Sequence, residues 1–255
     1  MKTSRIVVIA VAVLALAYVG AAATRNTGGT GDPGASLGQH VLTPPEGMVG
    51  ETILYAPSEA DDPAFRAAIA AITGGTVDYF DGRAATPDVA LLQSYDCVHT
   101  WANYAFLDSV GFGNNLADAV DAGTVVILGA FCTYTSGNSL AGEIMTAAYS
   151  PVWSPSASNH FVSSNYAGDG TTPIHNGVTT YECLYRDVLT LQGAGLQDGS
   201  YQDQEIAHAY RPDFKVIYSN GSGAIQLGCT GQWPLLVANA CQVGVPVELQ
   251  SINIE

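Results

Sequence analysis

Cys132 is the residue whose type and place most suggest chemistry. It follows the apolar run 124–128 and precedes a stretch, 139–147, with helical periodicity. A cysteine in a tight turn between a strand and a helix faces the positive end of the helix dipole. That field lowers the thiol pKa and favours the nucleophilic thiolate. Such a turn closes only when the residues two before and two after are small. Ala130 meets the first condition and Tyr134 fails the second. A nucleophile also needs a base. The five histidines form no HxxxH or HxH pattern, and none stands at a spacing that ties it to Cys132. Cys132 is thus the single catalytic candidate, as the nucleophile of a cysteine-dependent hydrolase or amidase, and it lacks a recognisable partner set.

The competing use of Cys132 is a disulfide. The chain has five cysteines. One arrangement bridges Cys229 to Cys241 and Cys132 to Cys183, and leaves Cys97, inside an apolar run, as the free thiol. Four cysteines allow three pairings, so the connectivity stays open. No CxxC is present, and no metal site is expected. No Asp-x-Asp-x-Asp-Gly calcium loop occurs, and Gly168-Asp169-Gly170 reads as a turn. The segment Ala56-Pro57-Ser58-Glu59 lacks any glycine-rich phosphate loop, so no nucleotide cofactor is expected. His99 lies in an apolar run and reads as a hydrogen-bonded core histidine.

Chemistry of this kind has to be held by regular elements, and the first half supplies them in alternation. Residues 52–56 form a short apolar run suited to a strand buried on both faces. Asp62 is a good N-cap and Pro63 suits the first helical position. Phe65, Ile69 and Ile72 then share one helical face until Gly74-Gly75. Residues 76–80 give a second strand, 88–94 a short helix, 96–101 a third strand, 114–122 a helix closed by Gly123, and 124–128 the fourth strand. Alternation of this kind implies right-handed crossovers and a parallel sheet with helices on both faces. Ligands in such folds sit beyond the C-terminal ends of the strands. Ser58, Asp81, Trp101, Asn103, Tyr104, Phe131, Thr133 and Tyr134 fall on that edge. Aromatic faces beside Asn103 and Asp81 suit a carbohydrate or peptide ligand. The second half is richer in turns. Expected strands cover 160–164, 180–191, 204–210, 214–219 and 224–229, with Asn220-Gly221 as a hairpin signal and a final helix over 233–241.

Composition sets the surroundings. The chain carries 23 acidic and 8 basic residues, a formal charge of −15. A surface of that sign repels nucleic acid and anionic membranes. Lys2 and Arg5 precede an uncharged apolar run, 6–19, and Ala21-Ala22-Ala23 supplies small residues for cleavage. Residues 1–23 therefore read as a signal peptide, whose removal leaves a still more acidic chain in an oxidising space, secreted, periplasmic or at the cell surface. The run is too short to span a bilayer comfortably, so no stable membrane insertion is expected after cleavage. Residues 24–50, rich in Gly, Thr and Pro, read as a flexible linker. The domain then occupies 51–244. Residues 245–255 read as an extended tail that could pair with another chain and carry self-association in a surface assembly.

Three segments carry a family resemblance. Residues 95–104 (YDCVHTWANY) look like a strand followed by a short polar loop, and 116–127 (LADAVDAGTVVI) like a helix-Gly-strand unit. Residues 173–178 (PIHNGV) with 235–240 (LLVANA) look like a late loop and closing helix. Together they resemble the class I glutamine amidotransferase-like fold and its exported, trehalose-utilisation-type (ThuA-like) relatives. The resemblance implies a three-layer, flavodoxin-like α/β domain with a strand-rich second half, and it places the family's nucleophile turn at Cys132. Here the chain departs from the pattern. The family's Gly two residues after the cysteine is Tyr134. Its histidine followed two residues later by Glu is missing: His160 precedes Val162, His175 precedes Gly177 and His208 precedes Tyr210. In the branch with His directly after Cys, Thr133 stands instead. The resemblance therefore implies a non-catalytic exported binding or interaction module.

Overall fold

The computed structural model describes residues 50–133, 138–156, 158–223 and 228–244. All belong to one unit, Leu42–Glu255. The proposed signal peptide, all of the proposed linker but Gly50, and the C-terminal tail lie outside them, as does Tyr134. Strands β1 (Thr52–Tyr55), β2 (Thr76–Tyr79), β3 (Cys97–Thr100) and β4 (Val125–Leu128) alternate with helices α1 (Pro63–Thr73), α2 (Val89–Gln93) and α3 (Ser109–Asp121). Seven short strands follow: β5 (Val152–Trp153), β6 (Asn159–His160), β7 (Ser164–Asn165), β8 (Tyr181–Cys183), β9 (Arg186–Asp187), β10 (Thr190–Leu191) and β11 (Leu196–Gln197). The chain then returns to the main sheet through β12 (His208–Tyr210) and β13 (Val216–Ser219), and ends in β14 (Cys229–Gly231) and α4 (Trp233–Val243).

The main sheet has the order β11-β12-β13-β4-β3-β1-β2. From β2 to β13 all neighbours are parallel, and β12 and β11 are antiparallel additions at one edge. Alternation along each strand sorts the core into two layers. Ile53, Tyr55, Cys97, Val125, Ile127 and Ile217 pack with α1 and α4. Leu54, Val98, Val126, Leu128, Val216 and Tyr218 pack with α2 and α3. The chain is thus a three-layer α/β protein with a mostly parallel central sheet.

Local chemistry fixes the helix ends. Asp62 Oδ1 accepts from Phe65 N at 3.0 Å and Asp88 Oδ1 from Leu91 N at 2.8 Å. Helix α3 begins five residues earlier than the sequence suggests, because Asp108 caps it through Gly111 N at 2.8 Å. Gly111 and Gly113 had masked that turn. On α1, Phe65 and Ile69 are buried, whereas Ile72 is partly exposed and Thr73 is buried in its place. The expected helix over 139–147 is reduced to a single 3₁₀ turn, Glu143–Met145. Gly142, at φ 77°, interrupts it in a conformation that a helix interior does not accept.

The cysteine pairing corrects the expectation. Cys97 bonds Cys241, and Cys183 bonds Cys229, leaving Cys132 free. The reason is facing. Cys97 points to the α4 side of the sheet, where Cys241 lies, at a Cα–Cα distance of 5.5 Å. Cys229 and Cys183 are direct partners across β14 and β8. The first bridge closes a sequence separation of 144 residues. Replacing both Cys97 and Cys241 by Ser is expected to lower unfolding stability by about 4 kcal/mol, from the loop-closure entropy restored to the unfolded chain. Urea denaturation of the two proteins checks this.

Candidate functional site

The turn after β4 is the chemically suggestive part of the C-terminal edge. Ala130 N donates to Gly221 O at 2.9 Å, and Cys132 N donates to Gly129 O at 3.3 Å, which closes the turn. The residue in the left-handed region is Phe131, at φ 68°. For a non-glycine residue this costs on the order of 1–2 kcal/mol and needs support from its surroundings. Support comes from two sides. Phe131 N donates to Asp187 Oδ2 at 2.9 Å, and the ring packs with Tyr185 and Phe161 at centroid distances of 5.9 and 6.3 Å.

A nucleophile turn strains the residue that it presents to the substrate. Here that place belongs to a phenyl ring, and the thiol comes one residue later. Cys132 is fully buried, and its Sγ donates to the Thr100 carbonyl at 3.9 Å. Burial, with Asp187 close by, pushes the thiol pKa well above its ordinary value. Among the described residues no histidine or carboxylate lies within hydrogen-bond reach of Sγ. The arrangement disfavours the thiolate that catalysis requires.

Asp187 is the feature that sequence spacing did not reveal. Its side chain is fully buried. Oδ2 accepts from Phe131 N, from Thr133 Oγ1 at 2.7 Å and from Tyr218 OH, and Oδ1 accepts from Asn159 Nδ2. Asn220 clamps the main chain of Asp187, accepting from its N at 2.7 Å and donating to its O at 3.0 Å. The neighbouring Arg186 turns the other way, to Asp203 at 2.7 Å. Burial therefore dominates, and the Asp187 pKa rises from 3.8 to about 6 despite the donors. One carboxyl thus fixes the post-β4 turn to the inserted strands and to β13.

The rim over β1 and β3 is stitched shut. Ser58 pairs with Ala102 beyond the strand ends, and its Oγ donates to Tyr104 O at 2.6 Å. Asn103 Nδ2 donates to Glu59, and Asp81 pairs with Arg83 at 2.8 Å. Trp101 is buried and donates to Tyr55 OH at 2.9 Å. Tyr104 remains exposed, beneath the Arg83 guanidinium at 5.7 Å from its ring centre. Ser58 and Trp101 are thus placed in the packing, while Asn103, Tyr104 and Asp81 reach the surface.

Open space lies beside the β4 turn instead. A cavity of about 190 Å³ is lined by Cys132 and Thr133, by Ser139, Leu140 and Met145, and by Trp153 and Ser154. A larger one, about 290 Å³, sits at the opposite end of the strands around Asp96, Thr124 and Lys215. Lys215 Nζ is already engaged there by the carbonyls of Gly123 and Gly244, at 2.6 and 2.7 Å. The smaller cavity is the one at the ligand edge of this fold class.

A second polar cluster forms on the other side of the sheet, where Tyr166, Ile174 and Tyr181 join the α4-side core. His175 Nδ1 lies 2.9 Å from Asp198, and His208 Nε2 lies 2.8 Å from Tyr181 OH. The two imidazoles meet at 5.0 Å, so the fold gathers histidines that are scattered in sequence. Burial alone would raise the Asp198 pKa, but hydrogen bonds from His175, Thr172 and Thr171 hold it well below the usual carboxylate range. Burial keeps His208 neutral. His175 is stacked on Tyr166, and no cysteine, serine or threonine hydroxyl is bonded to its ring among the described residues. The cluster is a packed joint between the inserted segment and α4, where Asn239 also binds the carbonyls of Ile174 and Asn176. No group of three or more His, Cys, Asp or Glu side chains among the described residues is placed to hold a metal.

Fold and site together define a three-layer α/β protein with a buried cysteine just past the C-terminal end of a central strand. No family model matches the chain, and no curated protein does. Among solved structures it is similar to the cytoplasmic protein STM3548 from Salmonella typhimurium, with TM-score 0.55 and 13% identity over 75% of this chain and 98% of that one. It also aligns with a putative GMP synthase subunit from Thermoplasma acidophilum (TM-score 0.49, 10% identity, 76% and 94% covered) and a glutamine amidotransferase from Thermotoga maritima (TM-score 0.46, 9% identity, 70% and 77% covered). At such identities the likeness concerns the fold alone.

Proposed function

We propose that this chain is an exported, non-catalytic binding module of amidotransferase-like architecture, akin to the ThuA-like relatives, which holds its ligand at the C-terminal edge of the parallel strands. The observation that carries the reading is the placement of Cys132. The thiol is fully buried, one residue past the strained turn position, and its Sγ donates to the Thr100 carbonyl. Two disulfides fit export to an oxidising space. Release of ammonia from glutamine, compared between the wild type and Cys132→Ala, tests the non-catalytic part. Neither protein is expected to exceed the buffer rate, and turnover by the wild type alone would restore the hydrolase reading. The mass of the protein recovered outside expressing cells tests the export part. A mature chain starting at Thr24 is expected, and retention of the intact chain inside the cell would contradict it.

A further inference from the structure

The cavity beside the β4 turn has a composition that narrows what it can hold. None of its lining residues carries a formal charge at neutral pH. Leu140 and Met145 offer apolar surface, and Thr133, Ser139 and Ser154 offer hydroxyls. Ser154 Oγ is buried and has no hydrogen-bond partner. A buried hydroxyl in that state is destabilising unless something else satisfies it. Thr133 Oγ1 gives its proton to Asp187, so toward the cavity it can only accept. Trp153, 46% exposed, adds an indole to the lining.

Size and charge narrow the choice further. About 190 Å³ is below the range of sites for drug-sized ligands, so it admits one ring rather than an extended peptide. The chain's charge of −15 disfavours anions at the mouth. The sheltered Asp187, with its oxygens already filled by protein donors, offers a cation nothing. What remains is a neutral ring with an apolar face for the indole and hydroxyls for the serine and threonine oxygens.

We propose that this cavity binds one neutral, hydroxyl-rich ring, a hexose-like sugar unit, stacked on Trp153 and hydrogen-bonded by Ser154, Thr133 and Ser139. The inference rests on the binding-module reading and names its ligand class. The source of the ring is either a free monosaccharide or the terminal unit of a glycan.

Trp153 makes the test direct. Of the chain's three tryptophans, Trp101 and Trp233 are 1% and 0% exposed, so iodide quenching of indole emission reports on Trp153. The full chain is titrated with neutral hexoses, their methyl glycosides, short neutral oligosaccharides, glucuronate and a short neutral peptide. Saturable protection from quenching by the neutral sugars is expected, with none by glucuronate or the peptide. Tighter binding of the oligosaccharides would assign a glycan end, and equal binding a free sugar. By calorimetry, Trp153→Ala is expected to weaken binding at least about tenfold and Ser154→Ala several-fold, the loss of a stacking face and of one hydrogen bond. Circular dichroism confirms that both variants fold. Absence of saturable sugar binding, unchanged affinity in both variants, or preference for the peptide or the anion would overturn the proposal. A null sugar result with no glutamine turnover leaves the non-catalytic reading standing, whereas turnover dependent on Cys132 defeats that reading whatever the sugar result.

Discussion

Asp187→Ala is expected to lower unfolding stability by about 4 kcal/mol at neutral pH. The alanine leaves Phe131 N, Thr133 Oγ1 and Tyr218 OH without this acceptor in a buried place, and Asn159 Nδ2 without it in a half-buried one. Each stranded donor costs on the order of 1–3 kcal/mol, partly offset by removing a buried charge. Phe131 loses the bond that holds its left-handed backbone, so the turn should relax as well. Chemical denaturation gives the stability. A loss under about 1 kcal/mol would show that the carboxyl does not anchor the turn.

The same carboxyl carries a pH signature. Its folded pKa, about 6, lies above the ordinary 3.8, so the native state holds the proton more tightly than the unfolded chain. The contribution is complete below about pH 4 and is lost as pH rises through about 6, a range on the order of 3 kcal/mol. His99 and His208 act in the opposite sense, because burial lowers their pKa and the unfolded chain takes up their protons first as pH falls. The bare stability curve therefore mixes the two. The difference between the wild type and Asp187→Asn isolates the carboxyl, and it should move in favour of the wild type from pH 7 to pH 4.5. A difference independent of pH would place the Asp187 pKa in the ordinary range.

The second large effect is steric. A Cβ on Gly221 would lie 2.6 Å from Cys229 Sγ, 2.7 Å from Cys183 Sγ and 2.8 Å from the Trp233 ring. None of these can yield easily, since the sulfurs are bonded to each other and the indole is fully buried. Gly221 O also receives Ala130 N from the β4 turn. Gly221→Ala is expected to cost about 3 kcal/mol, as overpacking against fixed neighbours does. Thermal unfolding of the oxidised protein checks this. A variant as stable as the wild type would mean that the disulfide and the turn are not packed through this residue.

Residues 220 and 221 serve contacts that no local pattern encodes. Asn220-Gly221 reads as a hairpin turn, because that pair favours one locally. In the fold, β13 is already paired with β12 through residues 211–215, and the dipeptide serves long-range ends. Asn220 clamps Asp187, and Gly221 admits a disulfide. The parallel half was legible because each strand is a short apolar run and Asp62 and Asp88 signal their helices locally. The second half was not legible. Its strands are two to four residues long and take their positions from contacts such as Arg186 with Asp203 and Asp198 with His175. The cysteine pairing failed for a related reason, since which face Cys97 takes depends on the sheet rather than on spacing. Thr133 lines the cavity beside the β4 turn. Nothing local in the sequence brings Trp153 and Ser154 to the end of β4.

We propose that Cys132 is a buried thiol and not a nucleophile. The rate of its alkylation by iodoacetamide, followed across pH by peptide mass and compared with the urea-denatured chain, tests it most directly. The native thiol is expected to react far more slowly than the denatured one at every pH, with no inflection below the ordinary cysteine range of about 8.5. A native rate above the denatured control, with an inflection near neutrality, would contradict the account and make Cys132 a nucleophile.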